Sequence, residues 1–187
     1  MRSEQHLRMD NATFLAWTPP HAGRYELVEQ HVVALNGASR AHARVVSNLV
    51  RILGAQLDDT RWMVVASDFA VDVGPATIRY PDVVVDRVEG SNNDPTASAP
   101  ALIAEVVSRS SAMLDLGAKA AEHLRLPSLA AYIVLAQDEA KAWVCVRGPQ
   151  GFPSVPTVVA GPNAIISVAA LGLNVALRDI YAGLALR

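Results

Sequence analysis

The stretch ALIAEVVS, residues 101–108, decides the fold of this chain. Its side chains are apolar on both faces of a strand, with the single exception of Glu105. Strands of this kind lie inside a sheet that is covered on both faces. A buried carboxylate is costly unless it is paired or binds a metal ion. The stretch therefore predicts an inner strand of a covered sheet and a partner for Glu105.

The residues before this strand predict further strands and one long helix. Residues 24–35 predict a strand or hairpin with a turn signal at Asn36-Gly37, and residues 62–66, 69–73 and 78–86 predict three more strands. Residues 40–57 predict an amphipathic helix capped by Ser39. Its apolar stripe consists of His42, Val46, Leu49, Leu53 and Leu57.

The residues after the strand continue the alternation of helices and strands. A cap at Ser110 or Ser111 predicts a helix that Pro127 ends. Residues 132–136 and 142–146 predict a hairpin, and residues 174–186 predict a short C-terminal helix. The order of elements indicates an α/β (α+β) single domain with one mixed β-sheet flanked by helices.

Composition narrows the class of protein. The chain has 187 residues, of which 51% are hydrophobic, so it is long enough for one domain with its own core. A net charge of −2 argues against a protein that coats nucleic acid along its whole surface. The single cysteine, Cys145, cannot form an intrachain disulfide, and the first ten residues contain no apolar signal segment. We therefore expect a cytoplasmic protein.

Residues 148–177 contain no Asp, Glu, Lys or Arg. Prolines and glycines interrupt this segment, so it does not predict a membrane-spanning helix. Two alternatives remain open for it. It could form one side of a symmetric homodimer, or it could be a β-hairpin packed on the core of its own domain.

Asp82 and Glu105 are the strongest candidates for a functional site. Asp82 opens the run DVVVD, residues 82–86, and Glu105 lies in its apolar strand. If the two strands are neighbours, their carboxylates can converge on one divalent cation, since Mg²⁺ is held by one or two carboxylates with waters and phosphate oxygens. The alternative is that each acid pairs with a structural Arg or Lys.

Charged residues on the two helices suggest further contacts. Asp115, Lys119 and His123 follow each other at intervals of four and predict a polar ladder, for which a solvated helix salt bridge is the ordinary alternative. Arg40, Arg44 and Arg51 predict either a solvated helix face or a patch that contacts phosphates. The three tryptophans, Trp17, Trp62 and Trp143, are interpreted as core or interface anchors rather than as platforms for base stacking.

Seven segments in order resemble a large bacterial family of restriction-endonuclease-like proteins in the PD-(D/E)xK nuclease superfamily, formerly known as a domain of unknown function. The resemblance begins near Phe14, so it implies an N-terminal extension over residues 1–13 and a restriction-endonuclease-like domain over residues 14–187. The segments are RYELVE (24–29), SRAHARVVSNLVRIL (39–53), YPDVVVD (80–86), APALIAEVVSRSS (99–111), DLGAK (115–119), HLRLPSLAAYIVLAQDE (123–139) and LNVALRDIY (173–181).

The resemblance implies roles for individual residues. Asp82 matches the acid of the PD motif, Glu105 the second acid and Glu26 an N-terminal acid of the family. Lys119 matches a lysine on the helix that follows, with Asp115 one turn before it. His42 matches a histidine near the start of the first long helix, to which no role can be assigned.

Two positions depart from the expected pattern. The superfamily lysine lies two residues after the second acid, and this chain has Val107 there. The resemblance implies that Lys119 on the helix takes its place. In addition, relatives often carry Gly-Glu where this chain has Gln30-His31, which puts the geometry of that turn in question.

The resemblance implies a metal-dependent endonuclease acting on nucleic acid, with DNA as the favoured substrate. Asp82 and Glu105, with the Val106 carbonyl and Glu26 as further candidates, would bind Mg²⁺ or Mn²⁺. Lys119 would orient the attacking hydroxide and stabilise developing charge. One alternative is a catalytically inactive nuclease-fold protein that binds nucleic acid or another protein, and another is a structural or dimerisation role. We expect a homodimer.

Overall fold

The computed structural model describes residues 7–35, 37–108 and 115–186, so the predicted helix cap at Ser110 or Ser111 and the Asn36 turn position lie outside it. Its largest element is a six-stranded sheet with the order β10-β9-β8-β7-β6-β3. All neighbouring strands run antiparallel except β7 and β8, which are parallel, so the sheet is mixed as predicted. The strands are β3 (Trp62–Ala66), β6 (Val83–Arg87), β7 (Leu102–Val107), β8 (Ala131–Ala136), β9 (Lys141–Val146) and β10 (Thr157–Ala160).

Strand β7 lies inside this sheet, and all six of its residues are buried. It pairs with β6 on one side and with β8 on the other. The expectation from its sequence is confirmed, because both of its faces are covered. A parallel pair requires a long connection, and the segment between β7 and β8 supplies it with a π-helical turn (Asp115–Lys119) and a short helix α3 (Ala120–His123).

Helix α2 (Arg40–Gln56) covers one face of the large sheet. Ser39 Oγ accepts a hydrogen bond from the His42 N–H at 3.1 Å, and Val46, Leu49 and Leu53 are buried against the sheet. The predicted helix, its cap and its apolar stripe are therefore confirmed. A hairpin of β11 (Ile165–Val168) and β12 (Leu173–Ala176), followed by helix α4 (Leu177–Ile180), completes this layer.

The other face of the large sheet packs against the helical connection and a smaller sheet. The smaller sheet has the order β2-β1-β5-β4. Helix α1 (Asn11–Ala16) inserts Phe14 beside Leu27 and Ile78 of this sheet. The strands of the smaller sheet are β1 (Tyr25–Val28), β2 (His31–Ala34), β4 (Val71–Gly74) and β5 (Thr77–Arg79).

The strand predicted over residues 78–86 is in fact two strands in two sheets. Strand β5 ends at Arg79 in the small sheet, and β6 begins at Val83 in the large sheet. Pro81 lies between them, and a proline has no N–H to donate to a strand ladder. The chain therefore changes sheets at Tyr80, Pro81 and Asp82, which leaves Asp82 just ahead of β6.

The helix predicted over residues 174–186 is also wrong in its first part. Leu173 and Val175 are buried while Asn174 is exposed, and this alternation with a period of two belongs to a strand that pairs with β11. Only residues Leu177–Ile180 form a helix in this region. For the uncharged segment, the alternative of a hairpin on the domain's own core is confirmed, since Ile166 and Val175 belong to that core.

The turn between β1 and β2 lies at Glu29 and Gln30, before the signal at Asn36-Gly37. Both residues are left-handed, with φ of 48° and 70°. Two successive left-handed residues are typical of the tight turns that match strand twist, where Asn and Gly are preferred. The hairpin therefore forms with Gln30-His31 in place of the Gly-Glu that relatives often carry, although the left-handed conformation costs Glu29 and Gln30, as non-glycine residues, some free energy.

Residues 7–13, just before Phe14, also contact the domain. The Met9 N–H donates to the Gln30 carbonyl at 2.9 Å, and Asp10 caps helix α1 through the Thr13 N–H. The division at residue 14 into an extension and a domain stays a prediction. None of the helices in the described part of the chain is long and apolar enough to cross a lipid bilayer.

Candidate active site

Asp82 and Glu105 lie side by side on the large sheet. Val83 of β6 is paired with Ala104 of β7, so the preceding and following residues, Asp82 and Glu105, occupy opposite positions. Opposite residues of an antiparallel pair point to the same face of a sheet. The two residues are 7% and 4% exposed, so two carboxylates are buried next to each other.

Asp82 is held by two donors from different elements. Its Oδ2 atom lies 2.9 Å from His42 Nε2 and accepts a hydrogen bond from the Val106 N–H at 2.8 Å. His42 is placed there because Ser39 caps helix α2 three residues earlier. The structure thus gives His42 a position in the site, which the sequence alone did not indicate. It also shows that Val106 contributes its N–H to Asp82, while metal binding by its carbonyl stays a prediction.

Lys119, in the π-helical turn, points into a group of buried acids, which we call the acidic cluster: Glu26, Asp82, Glu105 and Asp115. Its Nζ atom lies 3.2 Å from Asp115 Oδ1, 3.4 Å from Glu105 Oε1 and 3.7 Å from Glu26 Oε1. A single π-helical turn widens the helix locally and is frequent at functional sites. Val107, in the strand position where the superfamily carries lysine, packs in the apolar core instead. The ammonium group near Glu105 therefore comes from the helical connection.

Arg79 and Glu122 complete the cluster, and the sequence analysis missed both. Arg79 donates to the two carboxylate oxygens of Glu122 at 2.7 and 2.8 Å and to Glu26 Oε2 at 2.9 Å. Glu26 also accepts a hydrogen bond from the Tyr80 N–H. The only signal in the sequence was an arginine inside the apolar run before Pro81. Glu26 is thus mainly an acid paired with a structural arginine, with Lys119 at the edge of its reach.

Burial and mutual repulsion shape the electrostatics of these groups. Burial, reinforced by the charges of Asp82, Asp115 and Glu26, raises the pKa of Glu105 to about 8 although Lys119 opposes the change. Burial also raises the pKa of Asp115. Burial lowers the pKa of Lys119, but the surrounding carboxylates outweigh it and hold that pKa well above its ordinary value. Buried acids therefore surround a charged lysine, and Glu105 keeps its proton up to about pH 8.

His123 does not join Asp115 and Lys119 in a polar ladder. Its ring is fully buried, stacks on Tyr132 at 5.3 Å, and neither ring nitrogen has a hydrogen-bond partner in the structure. Burial and the nearby charges of Lys119 and Arg79 lower its pKa to about 3. The predicted ladder is wrong at this residue because the π-helical turn shifts the helix face after Lys119.

The donor atoms fit a small hard cation. Mg²⁺ takes oxygen ligands and is usually held by one or two carboxylates, with waters and substrate phosphates in the other positions. Asp82 and Glu105 supply two carboxylates at one place. Over the described ranges no group of three or more His, Cys, Asp or Glu side chains is arranged to hold a metal ion, so a site here would rest on this pair.

The arginines predicted to contact phosphates are exposed on helix α2. Arg40, Arg44 and Arg51 all face solvent, and Arg40 lies two residues before His42. Arg40 and Arg44 border a shallow groove with Ser47 and Asn48. Their exposure is compatible with both alternatives, and a role in binding phosphates stays a prediction.

Comparison with known proteins identifies the family and the fold of this chain. A sequence model of the Uma2 family, described as "Putative restriction endonuclease", matches residues 12–178. An uncharacterized protein of Synechocystis sp. is 31% identical over 116 residues, which are 60% of this chain and 66% of that protein, slightly under two thirds of its length. A crystal structure of "a putative nuclease belonging to DUF820" from Anabaena variabilis matches 93% of this chain and 98% of its own, with a TM-score of 0.74 and 16% identity. This last likeness shows that the two proteins share a fold.

Proposed function

Because the chain belongs to the Uma2 family of restriction-endonuclease-like proteins, we propose that it is a metal-dependent endonuclease that hydrolyses phosphodiester bonds, with DNA as its substrate. One observation carries the proposal. Asp82 and Glu105 are buried at opposite positions of two paired strands, and the Lys119 ammonium lies 3.4 Å from Glu105. Two carboxylates can hold a divalent cation, and a lysine beside them can stabilise the charge that develops on a phosphate.

In this mechanism Asp82 and Glu105 hold the cation, Mg²⁺ or Mn²⁺. When bound, the cation would polarise the scissile phosphate and lower the pKa of a bound water. Lys119 would orient the attacking hydroxide and stabilise the charge that develops on the phosphate. His42 and the Val106 N–H fix the orientation of Asp82, and Arg79 holds Glu26 at the back of the cluster.

A second candidate is a nuclease-fold protein that binds nucleic acid or another protein without cutting it. One observation favours it: the Lys119 ammonium lies within 3.7 Å of three carboxylates, which can hold it away from a phosphate. Such a protein would keep an affinity for nucleic acid that falls steeply with salt, but it would show no turnover with any metal ion.

The experiment that tests the proposal is cleavage of supercoiled plasmid with Mg²⁺, Mn²⁺ or EDTA. We expect nicking that requires the metal and is lost in Asp82→Ala and in Lys119→Ala. Lys141→Ala is the matched control, since Lys141 pairs with Glu139 in the turn between β8 and β9 and should leave the rate unchanged. Loss in Asp82→Ala alone would remove Lys119 from the mechanism, and a wild-type protein inactive in both metals would leave the binding function.

Binding of Mn²⁺ tests the metal site separately from catalysis. Titration of the free protein with Mn²⁺, followed by electron paramagnetic resonance, should show a bound ion that Asp82→Ala abolishes. Unchanged binding in this variant would contradict the assignment of Asp82 as a ligand. The homodimer stays a prediction that light scattering on the purified protein can check.

A further inference from the structure

A recess walled by aromatic rings opens beside the acidic cluster. It is a cavity of about 240 Å³. Trp17 packs edge-on against Tyr25 with ring centroids 5.4 Å apart, and the buried Phe14 ring is 6.2 Å from Trp17 and 6.4 Å from Tyr80. Trp17, Tyr25 and Tyr80 remain partly exposed, so their rings offer apolar surface to a ligand.

The recess shares its walls with the candidate active site. Tyr25 directly precedes Glu26, and the Tyr80 N–H donates to Glu26 Oε1 at 3.1 Å. Tyr80 is also two residues from Asp82, so their Cα atoms are at most about 7 Å apart. Ser67, which lines the recess, donates its N–H to the Asp82 carbonyl at 3.0 Å. The Tyr25 ring points to the opposite face of β1 from the Glu26 carboxylate, so the recess adjoins the main chain around Asp82 and lies across the small sheet from the buried carboxylates.

Polar groups at the rim give the recess a second kind of contact. Arg24 donates to the Ser67 carbonyl at 2.9 Å and lies 4.0 Å from the Asp68 carboxylate, whose side chain is 91% exposed. Gly23 leaves the surface of the Tyr25 ring open, because a Cβ there would stand 3.3 Å from Tyr25 Cε2. A flat ligand with hydrogen-bonding edges can stack on the rings and reach these groups at once.

We propose that this recess, lined by Phe14, Trp17, Tyr25 and Tyr80 with Arg24 at its rim, binds one unpaired nucleobase of the substrate strand. The inference rests on the proposed function and deepens it, because it names the substrate class as single-stranded or locally unpaired nucleic acid. A paired base inside a duplex cannot enter a recess, whereas an unstacked base can stack on aromatic side chains there. The proposal adds base stacking to the packing of Trp17 against Phe14 and Tyr25.

The test compares a strand that carries bases with one that does not. Fluorescence anisotropy with Ca²⁺ in place of Mg²⁺ gives the affinities for a labelled twelve-residue oligo-dT and for an abasic strand of equal length. We expect the wild type to bind oligo-dT about tenfold more tightly, since stacking of a base on an aromatic side chain contributes an effect of this order. In Trp17→Leu the ratio of the two affinities should fall to about one.

Trp62→Leu is the matched control and should keep the wild-type ratio, since Trp62 lies on β3 against Arg87 and away from the recess. A parallel titration with oligo-rU distinguishes RNA from DNA as the source of the base. If Trp17→Leu fails to fold, a Trp62→Phe/Trp143→Phe protein, in which Trp17 is the one tryptophan left, replaces it. Its fluorescence should be quenched by oligo-dT and not by the abasic strand.

The outcomes separate this inference from the proposed function. Metal-dependent nicking by a protein whose affinity ratio is one, or whose ratio survives Trp17→Leu, would overturn the base recess and leave the nuclease intact. A base-dependent affinity that Trp17→Leu abolishes, in a protein that does not cut in either Mg²⁺ or Mn²⁺, would support the recess and contradict the nuclease function.

Discussion

Asp82 and Asp86 are two buried acids four residues apart on one strand face, yet they are held in different ways. Asp86 is 2% exposed, and its two oxygens accept hydrogen bonds from the N–H groups of Ser98 and Ala99, both at 2.8 Å. These donors belong to the loop that leads into β7. Asp82 is instead held by His42 and by the Val106 N–H, and it lies opposite Glu105.

The comparison shows that burial alone does not identify a catalytic acid. The main chain of a nearby loop satisfies Asp86, so its carboxylate organises local structure. Asp82 is hydrogen-bonded to a histidine of helix α2 and to the main chain of the neighbouring strand β7, and a second carboxylate lies beside it. A cluster of acids with a perturbed pKa, rather than low exposure, is what separates the candidate active site from an acid that stabilises a loop.

Replacing each aspartate with asparagine should separate the two roles most strongly. We expect Asp82→Asn to lower plasmid nicking on the order of 10³-fold with little change in the free energy of unfolding. Asp86→Asn should keep activity but lose about 1–3 kcal/mol of stability, because its amide NH₂ would face a backbone donor. Nicking assays and urea unfolding measure both. Equal losses of activity in the two variants would contradict the division.

Removing the lysine should show how much the acidic cluster depends on it. Lys119→Met leaves Glu105, Asp115 and Glu26 without their shared cation, and breaking a buried ion pair typically costs about 3–5 kcal/mol of unfolding free energy. Lys141→Met, whose partly exposed lysine pairs with Glu139, should cost less than about 1 kcal/mol. Urea unfolding gives both values. Similar costs would mean that the Lys119 cluster is as weak as a surface pair.

The raised pKa of Glu105 predicts a specific dependence of stability on pH. In the folded protein this pKa is about 8, against 4.5 ordinarily, so the native state binds a proton that the unfolded chain releases between these values. The free energy of unfolding therefore falls as pH rises through this range. Glutamine resembles the protonated acid and removes the effect.

Measurements from pH 6.5 to 9 isolate this contribution. His123, with a folded pKa of about 3 against 6.5, destabilises the fold only below pH 6.5. We expect Glu105→Gln to gain stability relative to wild type by roughly 2 kcal/mol between pH 6.5 and pH 9, which widens the difference between their Tm values by about 4–8 °C. Parallel Tm curves for the two proteins across the range would show that Glu105 is ionised throughout.

The smallest effect concerns the loop that Asp86 organises. Ser98→Ala removes the Oγ hydrogen bond to the Glu89 carbonyl at 3.1 Å but keeps the backbone N–H that Asp86 accepts. We expect a loss of at most about 1 kcal/mol in urea unfolding. A loss as large as that of Asp86→Asn would assign the stabilisation to the hydroxyl rather than to the main chain.

Much of this structure could be predicted where local pattern determines the element. Helix α2 followed from the spacing of Val46, Leu49 and Leu53, and strand β7 from its unbroken apolar run. The acids at residues 82 and 105 stood out because charge inside such runs is costly. These features depend on residues close together in the chain.

The rest depends on contacts between distant residues. Pro81 marks a break between strands β5 and β6, but nothing local shows that the two strands belong to different sheets. Arg79 finds its partners in Glu26 and Glu122, both more than 40 residues away. His123 does not lie on the same helix face as Asp115 and Lys119, because the π-helical turn rotates the residues that follow it. Such a turn depends on packing rather than on sequence periodicity.

The wide separation of the cluster along the chain has a consequence for how the protein is made. Glu26 and Asp82 leave the ribosome well before Lys119, and Glu105 is held in place only once β8 has emerged to pair with β7. The acids and the lysine therefore cannot meet in a half-synthesised chain. A nascent polypeptide therefore carries no assembled cluster until β8 has been made.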